Sequence, residues 1–160
     1  MAVQTKTVPA RLYFCIAEEV AQPEIGFFAQ RAVGPLYETL KAAGLEIAGD
    51  LELICPEWND GGKSRVMFAV PIKSQTPSGG NSPVAEKAPY FFWQSPVFKC
   101  AWADHIGSMP SLKSAWAAFG PAVAANGLTL SPTRSWREVY KHWESFHSEK
   151  NVTELQLEIK

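Results

Sequence analysis

Ser64-Arg-Val-Met-Phe-Ala-Val-Pro-Ile-Lys73 and Asn151-Val-Thr-Glu-Leu-Gln-Leu-Glu-Ile-Lys160 are the stretches that decide the fold. Laid over one another, they put Phe68 on Leu155, Val70 on Leu157 and Ile72 on Ile159. Apolar residues thus recur at the same alternate places, as they do in strands that bury one face. A second pair of matching segments lies upstream. Ala43-Gly-Leu-Glu-Ile47 and Asn126-Gly-Leu-Thr-Leu130 each follow a helical stretch, and glycine there is the usual helix terminator.

The same order of elements stands around both pairs. Arg11–Ala17 reads as a strand, and Pro23 opens a helix with Phe28, Ala32, Leu36, Leu40 and Ala43 on one face. Gly34-Pro35 is expected to kink or divide that helix. Strands over Leu51–Cys55 and Arg65–Ile72 follow, separated by the turn-forming Asn59-Asp-Gly-Gly62. After Ser74–Pro89, a Pro-, Gly- and Ser-rich flexible connection, a strand returns over Val97–Ala103. Ser108 is the expected N-cap of a second helix, with Pro110 just inside it and Leu112, Trp116, Phe119 and Val123 on its apolar face. Arg134–Lys141 and Thr153–Ile159 are the last strands. We read one α+β domain over residues 1–160, made of two pseudo-symmetric βαββ modules at about 10–73 and 96–160, with a linker over 74–89. Neither half can bury its own apolar face, so the two should pack together and leave a cleft where they meet.

The bulk numbers agree with a globular domain. Hydrophobic residues make up 46% and charged residues 19%, and the net charge of −1 offers nothing to nucleic acid or an acidic membrane. The N-terminus carries no secretory signal, and no apolar run is long enough for a membrane helix. Cys15, Cys55 and Cys100 are odd in number, far apart and set in apolar strand-like runs. They fit neither a disulfide framework nor a metal site, and the expected location is the cytoplasm. His142 and His147 add no metal-ligand spacing, so no metal or cofactor is expected.

Six tryptophans and nine phenylalanines are the unusual entry in the composition, and they are candidates for a pocket wall as much as for core. Strand alternation puts Trp136, Glu138 and Tyr140 on one face, with Arg137, Val139 and Lys141 on the other. A carboxylate between Trp and Tyr is poorly solvated and suits either a lipophilic cation or proton transfer to water. The alternative is a surface strand with Glu138 paired to Arg134 or Lys141. Trp102, among small residues, is a candidate to reach the cleft. Tyr90-Phe-Phe-Trp93 reads either as a lid or wall that brings Trp93 to the cleft, or as an ordinary strand. Trp116 reads as core, and Trp58 as exposed in a turn. His105-Ile-Gly107 reads as a structural corner whose imidazole bonds nearby backbone. Thr153 and Glu154 are expected to fix the edge of the last strand, with Glu154 solvated.

Phe98-Lys-Cys-Ala-Trp-Ala-Asp-His-Ile-Gly107, the helix end Ala125-Asn-Gly-Leu128, Trp136-Arg-Glu-Val-Tyr140 and Thr153-Glu-Leu-Gln-Leu-Glu-Ile-Lys160 together resemble the GyrI-like effector-binding domain of multidrug-sensing transcription activators. That resemblance implies a cleft between two βαββ modules, with Glu138 projecting into it and Tyr140 beside it. Met109, where many members have Tyr, and the long linker depart from the pattern and bear on the pocket's shape. No helix-turn-helix segment is read within these residues, so the expectation is that any regulation of transcription runs through another protein. Three functions follow as expectations. The first is a stand-alone binding protein for lipophilic aromatic or cationic compounds, lined by Glu138, Tyr140, Trp136, Trp102 and Trp93. The second is a small hydrolase of electrophilic natural products with Glu138 as the catalytic residue that activates water. The third is a protein-interaction module with a partner such as a topoisomerase.

Overall fold

A computed structural model describes residues 1–160. The elements run β1 (Gln4–Val8), β2 (Leu12–Ala21), α1 (Ile25–Ala42), β3 (Glu52–Cys55), β4 (Lys63–Pro71), β5 (Tyr90–Gln94), β6 (Phe98–Ile106), α2 (Leu112–Ala125), β7 (Trp136–His142) and β8 (Val152–Glu158). All eight strands form one antiparallel sheet in the order β1-β6-β8-β7-β3-β4-β2-β5. The order reads the same from either end once each strand is replaced by its counterpart in the other half. The sheet is therefore two βαββ modules, β2-α1-β3-β4 and β6-α2-β7-β8, joined back to back through β3 and β7.

The backbone repeats in detail. Ile72 donates to the Leu12 carbonyl and Ile159 to that of Lys99, both at 3.0 Å. Lys73 donates to Glu46 and Lys160 to Thr129, both at 2.9 Å. The matched segments of the sequence are thus the segments that make equivalent bonds.

The leading strands are exchanged: β1, which precedes the first module, pairs with β6 of the second, and β5 pairs with β2 of the first. Each is joined to the strand that follows it by only three residues, Pro9–Arg11 and Ser95–Val97. In a flat sheet those links would have to cross six strand spacings, roughly 29 Å. Three residues reach at most about 14 Å. The sheet must curl until its two ends approach. The links meet there: Arg11 N–H donates to Ser95 Oγ at 3.0 Å and Ser95 N–H to the Arg11 carbonyl at 2.8 Å.

Curling gives the sheet two unlike faces. On the outer face lie both helices, α1 packing Phe28, Ala32, Leu36 and Leu40 over Phe14, Leu53, Val66, Phe68 and Val70. In the second module α2 packs Leu112, Ala115, Phe119 and Val123 over Ala101, Ala103, Leu155 and Leu157. The inner face has no helix, yet the curl buries Tyr13, Cys15, Ile54, Met67, Phe98 and Cys100.

Several local expectations change. Pro35 neither divides nor ends α1, which is continuous; Pro121 lies likewise inside α2, and both prolines are on exposed faces where water can serve the freed carbonyls. Ser108 stands before a short 3-10 turn, Met109–Ser111, and its side chain makes no cap bond. Strand β1 escaped the reading because its alternating Thr and Lys carry no apolar signal. Tyr90–Gln94 is an edge strand, with Tyr90 and Phe92 toward the helices and Phe91 and Trp93 toward the interior.

Candidate functional site

Glu138 sits where the two modules join. On β7 it faces Leu53 of β3 on one side and Leu155 of β8 on the other, so the base of its side chain is walled by leucines. Trp136 and Tyr140 share its face, as alternation requires. Trp116 reaches down from α2 and donates its indole N–H to Glu138 Oε1 at 2.7 Å, while the Tyr140 hydroxyl donates to Oε2 at 2.6 Å. The residue is 7% exposed. Around it the rings form a chain of edge-on contacts: Trp58 to Trp136 at 5.8 Å, Trp136 to Trp116 at 5.6 Å, and Trp116 to Phe119 at 5.8 Å.

No cation lies within ion-pair distance of Glu138. Arg134 instead faces Asp60 at 3.9 Å, and Lys141 bonds Asp104 and Glu154. Burial raises the Glu138 carboxyl above the ordinary carboxylate range, and the bonds from Tyr140 and Trp116 offset part of that rise. The Tyr140 hydroxyl is pushed well up by its burial and then by the neighbouring carboxylate. This is a carboxyl group solvated by neutral donors alone, with aromatic rings on its flanks.

Of the residues singled out in the sequence, Glu138, Trp136 and Tyr140 come together. Trp93 and Trp102 do not: both point into the curl. Trp93 lies 5.7 Å from Tyr13, and Trp102 lies under the ammonium groups of Lys6 at 4.6 Å and Lys141 at 5.5 Å. Their neighbours Phe92 and Ala101 hold the helix side, so alternation sends these two tryptophans the other way. Trp116 was missed as a site residue because only the packing of α2 brings it to a carboxylate 22 positions away in the chain. Trp58 is half-buried against Trp136, not free in a turn.

Glu154 is buried, not solvated. It bonds Lys6, Lys141 and Gln156. Burial by itself would raise its carboxyl, but the bonds from Lys6 and Gln156 outweigh that and hold it below the usual range. His105 bonds the Ser111 hydroxyl, at 2.7 Å, and not backbone; a Cβ at Gly107 would stand 2.9 Å from Ser111 Oγ and 3.0 Å from His105 Nε2. Gly107 therefore leaves room for that bond, and the corner is structural. The three cysteines are buried and unpaired, and burial pushes the thiols of Cys55 and Cys100 up to about 11. No three His, Cys, Asp or Glu side chains gather as a metal site, and no helix is long and apolar enough to cross a membrane.

Cavities open elsewhere as well. One of ≈ 410 Å³ has Glu52 in its wall, on the inner face, together with Arg11, Asp50 and Val139; another of ≈ 470 Å³ lies between the end of α1 and Ser78. Neither is lined by Glu138.

The sequence matches no protein-family model and no curated protein. Its structure does have counterparts. The C-terminal domain of EcmrR is similar at a TM-score of 0.77 and 19% identity, over 99% of this chain and 97% of that one. In the EcmrR–DNA complex, this chain spans 57% of the EcmrR chain. SAV2435, in a structure with bound tetraphenylphosphonium, is similar at 0.72 and 16% identity, over 100% and 94%. A hydrolase from Listeria innocua is similar at 0.61 and 14% identity, over 99% and 91%. The chain has the GyrI-like fold.

Proposed function

We propose that this chain binds lipophilic aromatic cations at Glu138. What carries the reading is a buried carboxylate with no counter-ion, hydrogen-bonded only by Trp116 and Tyr140 and flanked by Trp136. Such a group attracts positive charge, and the ring faces beside it add cation–π and stacking contacts. A cation reaching Glu138 takes the place of the Trp116 indole, so the ligand must itself be aromatic enough to restore the lost contacts. SAV2435, of the same fold, holds a lipophilic cation, tetraphenylphosphonium. The direct test is titration of the wild-type protein and of Glu138→Gln with tetraphenylphosphonium. Weaker binding by the variant is expected; equal binding by both sinks the proposal.

A second reading rests on Tyr140. Its hydroxyl, 2.6 Å from Glu138 Oε2, makes a carboxyl–phenol pair able to take a proton from water and hand one to a leaving oxygen. Glu138→Gln would then abolish turnover of an electrophilic substrate while leaving its binding nearly unchanged.

A further inference from the structure

The ≈ 410 Å³ cavity with Glu52 in its wall holds charges of both signs. Glu52 is buried, at 2% exposed, while Arg11 and Asp50 are exposed and stand at the mouth. The Glu52 side chain accepts one hydrogen bond, from the Tyr13 hydroxyl to Oε2 at 2.8 Å. A carboxylate has about four acceptor sites, so most of its capacity is unused. Two cations approach it without bonding it. Arg11 Nη1 is 3.8 Å from Oε2 and Arg137 Nη1 is 3.9 Å from Oε1, both beyond hydrogen-bond reach. Arg137 belongs to the interior, its guanidinium 3.9 Å from the centre of the Phe98 ring, and does not line the cavity. Arg11 does line it, and there its backbone N–H is bonded to Ser95 Oγ while the guanidinium faces the cavity's carboxylates.

The second module has the same loop in a closed form. Ala48 N–H donates to the Pro71 carbonyl at 2.7 Å, and its counterpart Ser131 to that of Glu158 at 3.0 Å. In the second module Thr133, two residues on, bonds the Glu158 carboxylate at 2.8 Å and the Ser131 hydroxyl at 3.1 Å. Its counterpart in the first module is Asp50, for which Pro71 and Ala48 supply no such partners. The side-chain bonds that tie this loop down in one module are thus missing from the other, and there the cavity lies.

The ligand's chemistry follows from the groups that line it. The planar fork of Arg11 suits a carboxylate, and the three donors of an ammonium suit Glu52 and Asp50. An anion alone would meet two carboxylates, and a cation alone would meet Arg11. With Arg137 behind Glu52, two positive charges balance two negative ones, which favours a ligand that carries both signs and no net charge. Arg11 and Glu52 stand 3.8 Å apart, so the ligand's own charges must be close, as they are when a single carbon joins them. Leu12, Ile72 and Val139 supply apolar wall, and the volume is of ligand size. We propose that this cavity is a second ligand site, separate from Glu138, for an α-amino acid with an apolar side chain, its carboxylate on Arg11 and its ammonium on Glu52 and Asp50.

Titration of the intact protein with L-leucine, followed by calorimetry and NMR shifts, tests it. Saturable binding at millimolar concentration is expected. Isoamylamine and isocaproate each keep the side chain and one of the two charges, and both should bind at least about tenfold more weakly. Arg11→Met and Asp50→Asn change exposed side chains, and each should weaken leucine about tenfold. Glu138→Gln should bind leucine as the wild type does, and tetraphenylphosphonium should bind Arg11→Met as it binds the wild type. No saturable binding of leucine overturns the proposal. So does isoamylamine that binds as tightly as leucine, which would mark a site for cations, or leucine affinity that Arg11→Met leaves unchanged.

Discussion

Arg137 and Glu138 are neighbours in one strand, and the two faces they enter treat charge in opposite ways. On the outer face Glu138 is alone, with neutral donors and aromatic rings about it. On the inner face charges come in groups: Arg137 and Arg11 with Glu52, Lys6 and Lys141 with Glu154. The difference is what the proposed function rests on when it assigns a charged ligand to one face and not the other. A carboxylate with no counter-ion keeps its field for an incoming cation, whereas paired charges have little left for a charged visitor.

The largest effect is expected inside the curl. Arg137→Ala leaves Glu52 buried with only the half-exposed Arg11 near it, and removal of one partner of a buried pair costs about 3–5 kcal/mol. Urea unfolding measures it, and a loss near zero would mean that the interior groups are not coupled. Next comes the outer face. Glu138→Gln keeps the shape and removes the charge, so tetraphenylphosphonium should lose about 1.5–3 kcal/mol, ten- to a hundred-fold in Kd. A neutral aromatic compound of similar size should lose much less, since burial and stacking hold it. An equal loss for both compounds would break the contrast between the faces.

A smaller effect lies in pH. The Glu138 carboxyl is raised on folding, so its contribution to stability is fully present below the ordinary carboxylate range and is lost as pH rises through the folded value. The Glu52 carboxyl is also raised, by burial foremost, but it is common to both proteins and drops out of the comparison. Unfolding free energies of wild type minus Glu138→Gln should therefore be largest in mild acid and shrink toward mild alkali. The opposite slope would show that the carboxylate is better solvated than its burial indicates. Smallest of all is the response of the cysteines. Cys15, Cys55 and Cys100 lie in buried strands with raised thiols, and in the native protein thiol reagents should label none of them quickly. Rapid labelling of two would mean that the sheet opens far more often than its packing suggests.

How much of this was legible depends on the range over which each feature is decided. The paired segments ending at Lys73 and Lys160 were readable because strand alternation and helix-ending glycines are local, and both modules carry them with equivalent backbone bonds. Glu138, Trp136 and Tyr140 were readable as one face for the same reason. Trp93 and Trp102 were misplaced because alternation groups residues by face without saying which face meets the helices. The solitary Glu138 and the interior Arg137 follow from contacts that only packing creates.

Local order was thus determined by the chain alone: period-two and helical spacings follow from backbone geometry, and with them the α+β class and the two βαββ modules. The tertiary structure decided the rest. Two three-residue links, too short to cross a flat sheet, force it to curl, and the curl buries Arg137 and Glu52 together. The packing of α2 brings Trp116 onto Glu138. Both depend on distances through space between residues far apart in the chain, and those are set only when the sheet closes and the helices dock on it.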